Sequence, residues 1–143
     1  MKKINIFASL LILCTLTSCS LHIKDTNGKD NYSLNTITDE NILSPNGVVK
    51  IAAVQTSVNG SNVYKAKKYS GVEKIARYKN GFTLYVNNVV KSGNFRICLV
   101  CDDVIVKDFA INNSDSFAAL DSKTYDLYIA GESAQFEMSY FTE

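Results

Sequence analysis

The sequence predicts an all-β domain, an antiparallel β-sandwich of jelly-roll or immunoglobulin-like type with about eight strands. From residue 48 onward, short apolar or alternating runs are separated by pairs of Gly, Asn, Asp and Ser residues, as in antiparallel sheets. No long segment repeats with a period of 3.6 residues, so no substantial helix is expected inside the domain. A small barrel is the alternative architecture.

The runs define the predicted strands in chain order. They are residues 48–58, 72–78, 82–90, 94–101, 104–111, 116–120, 125–130 and 134–141. Three short connections predict hairpins: Asn80-Gly81, which suits a type I′ turn, Asp102-Asp103, and residues 131–133.

Alternation within four of these runs predicts the core, because every second side chain of a strand points to the same face. The inward set is Phe82, Leu84, Val86, Phe95, Ile97, Leu99, Cys101, Tyr125, Leu127, Ile129, Phe136, Met138 and Tyr140.

The first nineteen residues have the order of an export signal: Lys2 and Lys3, an apolar run over 4–16, then Thr17-Ser18-Cys19. Residues 16–19 resemble a bacterial lipobox. That resemblance implies that Cys19 receives a diacylglycerol and becomes the first residue of the mature protein. A generic secretory signal and an uncleaved helix are the alternatives, although a spanning helix needs about 20 apolar residues.

Three segments are expected: a lipoprotein signal peptide over 1–18, a lipidated N-terminus with a flexible tether over 19–46, and the β-sandwich over 47–143. The tether is rich in Asn, Thr, Ser, Asp and Lys. As an alternative, residues 32–43 dock on the domain as an edge strand or a short helix.

Cys98 and Cys101 are the cysteines left after the signal and the lipidation site. Residues three apart on a strand point to opposite faces. We therefore expect two separate, partly buried thiols. A disulfide formed through a bulge or turn, and a shared metal, are the alternatives.

Charge is distributed unevenly along the chain. Residues 47–100 contain nine Lys or Arg and one acid, whereas residues 101–143 contain two Lys and nine acids. Basic strands that pair with acidic strands are one interpretation. The other is a two-faced molecule whose basic face attracts anionic polymers or lipid headgroups.

One segment suggests a ligand surface, because it alternates aromatic residues with lysines: Tyr64, Lys65, Lys67, Lys68 and Tyr69. In a loop, these side chains suit a glycan, a teichoic acid or an anionic lipid surface. In the structural alternative, the lysines solvate a long loop and the tyrosines fold back over the sandwich.

Catalytic motifs are scarce. His22 lies in the predicted tether, so the domain has no histidine for a hydrolytic triad or a zinc site. No cofactor or metal is expected, and Asp102 with Asp103, or Asp115 with Asp121, are weak calcium candidates. Hydrolysis by two carboxylates is the enzymatic alternative.

Residues 92–97, 123–129 and 131–136 resemble a loose group of small lipoprotein ectodomains from low-GC Gram-positive bacteria, although Lys123 stands where that group commonly has glycine. The group implies no common activity.

These features predict a non-enzymatic, extracytoplasmic lipoprotein that is held on the bacterial membrane through Cys19 and binds a protein or a cell-envelope component, such as an anionic cell-wall polymer. An accessory or inhibitor lipoprotein, which occludes an envelope enzyme or a secretion component, is the first alternative. A small carboxylate-dependent hydrolase is the second. Nucleic acid is not an expected partner, given the net charge of +1.

Overall fold

The computed structural model describes residues 37–45 and 47–143. Seven strands form one antiparallel sheet in the order β1-β3-β7-β4-β5, with β2 next to β1 along β3 and β6 next to β5 along β4. The predicted all-β class is therefore confirmed. The elements are α1 (Asp39–Leu43), β1 (Val48–Ile51), β2 (Val54–Val58), β3 (Ser61–Lys79), β4 (Phe82–Cys101), β5 (Val104–Asp108), β6 (Ser114–Ala119) and β7 (Thr124–Thr142).

The three long strands fold over near their middles. Strand β7 has 19 residues, and such a strand would span about 60 Å if straight. Lys79 pairs with Thr124 at the start of β7, whereas Leu84 pairs with Thr142 at its end. Five residues of chain reach at most about 18 Å, so the two ends of β7 lie close together.

The folded sheet makes two layers. Layer 1 contains β2, β6, residues 61–69 of β3, residues 82–90 of β4 and residues 134–142 of β7. Layer 2 contains β5 and the other halves of the three long strands, and β1 lies at the bend. The domain is thus sandwich-like, but one continuous sheet forms both layers, unlike the two separate sheets of a jelly-roll or immunoglobulin domain.

Aromatic rings join the layers across the core. The rings of Phe95 and Phe136 stack with centroids 4.1 Å apart, and Phe82 meets Tyr125 edge-on at 5.4 Å. All thirteen side chains predicted to point inward are buried. The prediction of the core is therefore confirmed.

The bends in the long strands explain why about eight strands were predicted from the sequence and the structure has seven. The gaps between predicted strands at residues 91–93 and 131–133 lie inside continuous strands, and so does Gly71, just before the predicted strand 72–78. Gly71 has a φ of 116°, and a Cβ there would collide with the carbonyl oxygen of Gly47. Gly93, with a φ of 74°, similarly faces Ser133. These glycines allow a strand to bend without ending.

One predicted hairpin and one predicted strand also differ from the structure. The hairpin at residues 131–133 is wrong, because this segment is the bend of β7. The run 48–58 is two strands, β1 and β2, which both pair with β3. The turns at Asn80-Gly81 and Asp102-Asp103 are confirmed as connections between consecutive strands.

The predicted tether ends earlier than residue 46. Thr38 caps α1, and its hydroxyl accepts a hydrogen bond from the Asn41 backbone N–H at 3.3 Å. Ile37 and Ile42 are buried against layer 2. Residues 37–45 therefore belong to the domain, in agreement with the docked short helix considered as the alternative. The predicted signal peptide, Cys19 and the tether up to residue 36 lie outside the described residues.

Charged side chains pair across neighbouring strands. Lys65 contacts Glu137 at 2.6 Å, Arg77 contacts Asp126 at 2.6 Å, and Arg96 contacts Asp108 at 2.7 Å. In each pair the cation comes from the basic half of the sequence and the acid from the acidic half. The cross-strand interpretation of the charge asymmetry is confirmed for these pairs.

Candidate functional site

The outer face of layer 1 is exposed across several neighbouring strands; we call it the open face. Residues paired in register point to the same side of a sheet, so Tyr85 shares this face with Phe141 and Ser116, while Asn87 shares it with Ser139. Val89 and Phe141 leave 51% and 39% of their surfaces exposed. The open face comprises Val54, Thr56, Val58, Val63, Lys65, Thr83, Tyr85, Asn87, Val89, Ser114, Ser116, Glu137, Ser139 and Phe141.

Two aromatic rings stand side by side on the open face. The rings of Tyr85 and Phe141 stack with centroids 4.9 Å apart and an interplanar angle of 16°. The Tyr85 hydroxyl donates to Glu143 Oε2 at 3.3 Å, and the negative charge of Glu143 raises the pKa of Tyr85. The phenol is therefore neutral at physiological pH and presents an apolar ring with a polar tip.

A cleft of about 420 Å³ adjoins this pair, and we call it the aromatic cleft. Tyr85 and Phe141 provide its apolar wall, and hydroxyl and amide groups from three strands provide its polar groups. Ligand sites commonly occupy about 300–1,000 Å³ and combine an apolar lining with a few placed polar groups. Its outward polar side chains are Asn87, Ser114, Ser116 and Ser139.

The β6 side of the aromatic cleft is held by a buried asparagine. The Asn88 amide donates to the Ala110 carbonyl at 2.8 Å and accepts from the Asn112 backbone N–H at 2.9 Å. The Asn112 side chain accepts from the Val90 backbone N–H at 2.6 Å. These bonds fix the β5–β6 connection against β4, so the start of β6 has a defined position.

Asp115 is a structural acid on β6, where it pairs in register with the inward-facing Val86. Its carboxylate accepts from Lys107 at 2.8 Å and from the backbone N–H groups of Ala110 and Ser116. The Lys107 hydrogen bond is the main reason that the pKa of Asp115 lies below its usual value. A carboxylate held ionised in this way accepts hydrogen bonds and is a poor proton donor.

A second cleft, of about 490 Å³, lies on the same face and shares Asn87 and Ser139 with the first. We call it the valine cleft, because Val63 and Val89 line it. Its acid, Glu137, is paired with Lys65. The two clefts are neighbours, and their lining residues lie on β3, β7, β4 and β6.

The segment predicted as a ligand-binding loop is part of β3. Tyr64 and Tyr69 point into the core, where both pack edge-on against Phe136. The prediction of a loop with exposed tyrosines is wrong, because Tyr64 alternates inward with Ala66 and the register shift after Ala66 brings Tyr69 to the same face. The lysines Lys65, Lys67 and Lys68 are exposed, and their role in binding an anionic ligand stays a prediction.

The calcium candidates Asp102 and Asp103 form the turn between β4 and β5, both with positive φ. Asp102 contacts Lys123 at 2.8 Å, and this hydrogen bond is the main cause of its lowered pKa. Asp121 accepts hydrogen bonds from the Tyr125 hydroxyl. Among residues 37–45 and 47–143, no group of three or more His, Cys, Asp or Glu side chains is placed to hold a metal ion.

The outer face of layer 2 is covered by α1; we call it the covered face. Ile37 and Ile42 pack on Cys98, Val100 and Ala130 there. The Arg96 guanidinium fixes this contact: it donates to the Ile37 carbonyl at 3.0 Å and forms ion pairs with Asp39 and Asp108. The polar groups of Arg96 therefore bind the segment that contains α1, as well as Asp108.

The two thiols lie on opposite sides of β4, as expected. Cys98 belongs to the covered face and Cys101 to the main core, and both are free. Burial raises the pKa of Cys98 to about 12. A thiol with that pKa is protonated at neutral pH and is a poor nucleophile or metal ligand.

A comparison with protein-family models finds no match, and a comparison with curated proteins finds none either. In the part of the chain that the structure describes, no helix is long and apolar enough to cross a membrane.

Sequence reasoning missed the open face as a site. The available signal was an aromatic residue at an outward position of an alternating run, as at Tyr85 between Leu84 and Val86. Residues 136–141 give the same signal at their end, where Phe141 follows Tyr140.

Proposed function

We propose that the chain is a lipid-anchored, non-enzymatic binding module of the bacterial envelope, and that its open face binds an uncharged envelope glycan. One observation carries the proposal: the aromatic cleft and the valine cleft lie side by side on an exposed sheet face and share Asn87 and Ser139. Their length across four strands suits a polymer better than a compact metabolite.

The chemistry of the open face favours a hydroxyl-rich, uncharged ligand. Sugar rings offer apolar C–H faces to aromatic rings and hydroxyls to amides and serines. The lining of the two clefts is mainly hydroxyl, amide and apolar, and its outward charged side chains are Glu137, which is paired with Lys65, and Lys91. A glycan therefore fits better than the anionic polymer expected from the lysines of residues 65–68.

The lipobox resemblance of residues 16–19 supports the anchor. Two acyl chains hold a protein stably on a bilayer, whereas one gives marginal binding. Intact-mass analysis and membrane partitioning of the full chain beside Cys19→Ala test this part. A diacylglycerol mass and membrane partitioning in the parent chain alone support the anchor. Release of both chains without lipid contradicts it.

A co-sedimentation assay tests the binding part. The full chain in detergent is mixed with isolated peptidoglycan sacculi that are stripped of proteins and anionic polymers, so that the hydroxyl-rich glycan strands are exposed, and the charged groups of the peptide stems are screened in the high-salt arm. Tyr85→Ala and Phe141→Ala are compared with Val104→Ala, an exposed aliphatic truncation on β5. We expect roughly tenfold weaker binding for the two aromatic variants, which corresponds to about 1.4 kcal/mol, and parent-like binding for the control.

Salt distinguishes the glycan from an anionic ligand. Raising the ionic strength from about 0.1 M to about 1 M shortens the Debye length from about 10 Å to about 3 Å. Binding that survives this change supports an uncharged glycan. Binding that disappears with salt, and with neutral substitutions at Lys65, Lys67 and Lys68, contradicts the proposal and supports an anionic polymer.

A further inference from the structure

Strand β2 forms an edge of layer 1 without the usual protection. Among the described residues it pairs with β3 on one side and with no strand on the other. All five of its residues, Val54–Val58, are exposed. Free edges offer unpaired N–H and C=O groups, and proteins commonly block them with charges, proline or a bulge.

The other edge strands carry such charges. β1 contains Lys50, β5 contains Lys107 and Asp108, and β6 contains Asp115. The sequence of β2 is Val-Gln-Thr-Ser-Val, with no charge, proline or glycine. An unguarded edge of this kind favours the addition of another strand.

We infer that a second copy of this chain pairs with β2, antiparallel and centred on Thr56. In this register Thr56 faces its own counterpart, Val54 faces Val58 of the second copy, and Gln55 faces Ser57 of the second copy. Apolar residues meet apolar residues and hydroxyls meet polar groups, with no like charges opposed. The strand is therefore complementary to itself, as a two-fold interface requires.

The pairing also covers exposed apolar surface. Val54 and Val58 leave 56% and 59% of their surfaces exposed on the open face. When the strands pair, Val54 of each copy packs against Val58 of the other copy. Layer 1 of one copy then lies edge to edge with layer 1 of the other, so the open face continues across both copies. The pairing itself does not depend on the glycan proposal, and its test contains no glycan.

Disulfide trapping in the full chain tests the register. Opposite residues of an antiparallel pair have Cα atoms about 4.5–5.5 Å apart, within disulfide range. Thr56→Cys is expected to form a covalent dimer under mild oxidant, well above the background of the parent chain. Val54→Cys and Val58→Cys are expected to cross-link when mixed and to stay near background alone.

Val104→Cys is the matched control, since Val104 on β5 is as exposed as Val58, at 59%. Cross-linking of Val104→Cys as strong as that of Thr56→Cys, or background levels for Thr56→Cys, overturns the inference. A covalent product with a different envelope protein also overturns it, and indicates a foreign strand at this edge.

Sedimentation equilibrium of the full chain in detergent gives a second measurement without cysteine variants. Thr56→Lys places two positive charges opposite each other at the centre of the interface. We expect at least a tenfold weaker dimer. A parent chain that stays monomeric at the highest soluble concentration contradicts the inference.

Discussion

The two outer faces of the sandwich differ in what lies on them. On the covered face, Ile42 of α1 is fully buried against layer 2. On the open face, Val89 is half exposed and the stacked pair of Tyr85 and Phe141 borders two clefts. Both faces therefore carry apolar side chains at outward positions, but the described part of the chain supplies a cover for one of them.

The polar groups of the two faces differ in the same way. Arg96 on the covered face is committed to the Ile37 carbonyl, Asp39 and Asp108. On the open face, the hydroxyl and amide groups of Ser139 and Asn87 line both clefts. One face therefore completes the fold, whereas the other leaves its apolar and polar side chains exposed.

Truncating one aliphatic residue on each face gives the largest expected contrast. Ile42→Ala should lower the free energy of unfolding by about 2–4 kcal/mol, because it leaves a cavity under α1. Val89→Ala should change it by less than about 0.5 kcal/mol. Urea unfolding of both variants checks the difference, and equal effects would show that the two faces do not differ in packing.

Removing the arginine that holds α1 should have a smaller effect. Arg96→Ala leaves the Ile37 carbonyl without its donor and Asp39 and Asp108 without their cation, at a cost of about 1–2 kcal/mol. Cys98, beneath the same segment, should then react faster with iodoacetamide. Arg77→Ala is the control, because Arg77 also binds an acid on layer 2 and does not contact α1. A Cys98 rate that is unchanged in Arg96→Ala contradicts the role of Arg96.

The pH dependence of stability should report the buried thiol. The pKa of Cys98 rises from 9.0 to about 12 in the folded protein because burial disfavours the thiolate. As the pH rises, the unfolded chain therefore loses this proton at a lower pH than the folded protein does. The free energy of unfolding falls accordingly between about pH 9 and pH 12. Between pH 8 and pH 10, Cys98→Ala should lose about 1 kcal/mol less than the parent chain. Val100→Ala, a buried neighbour without a titratable group, should keep the parent slope, and an equal slope in Cys98→Ala would argue against the shift.

The alternating pattern predicted the core because side-chain direction in a strand is a local property. Phe82, Leu84 and Val86 all point inward as the pattern requires. Strand boundaries were less predictable, since Gly71 and Gly93 mark bends within strands and not ends. Whether a glycine ends a strand or bends it depends on the neighbouring strand, which the local sequence does not contain.

The candidate site was largely unpredictable for a related reason. Tyr64 and Tyr69 lie among lysines, yet the pairing of β3 with β7, including the register shift before Tyr69, buries both rings. Tyr85 and Phe141 are 56 positions apart and meet through the pairing of β4 with β7. Docking of α1 also depends on a distant residue, Arg96, although Thr38-Asp39-Glu40 is a local signal for a helix start.

Side-chain footprinting of the full chain, with and without isolated peptidoglycan sacculi, tests the central claim most directly. Hydroxyl radicals oxidise exposed aromatic and aliphatic residues on both faces in one experiment. We expect the sacculi to protect Tyr85 and Phe141 and to leave the oxidation of Tyr128 and Leu43 unchanged. Protection at Tyr128 and Leu43 with none at Tyr85 and Phe141, or no protection on either face, would contradict the claim that the open face is the binding surface.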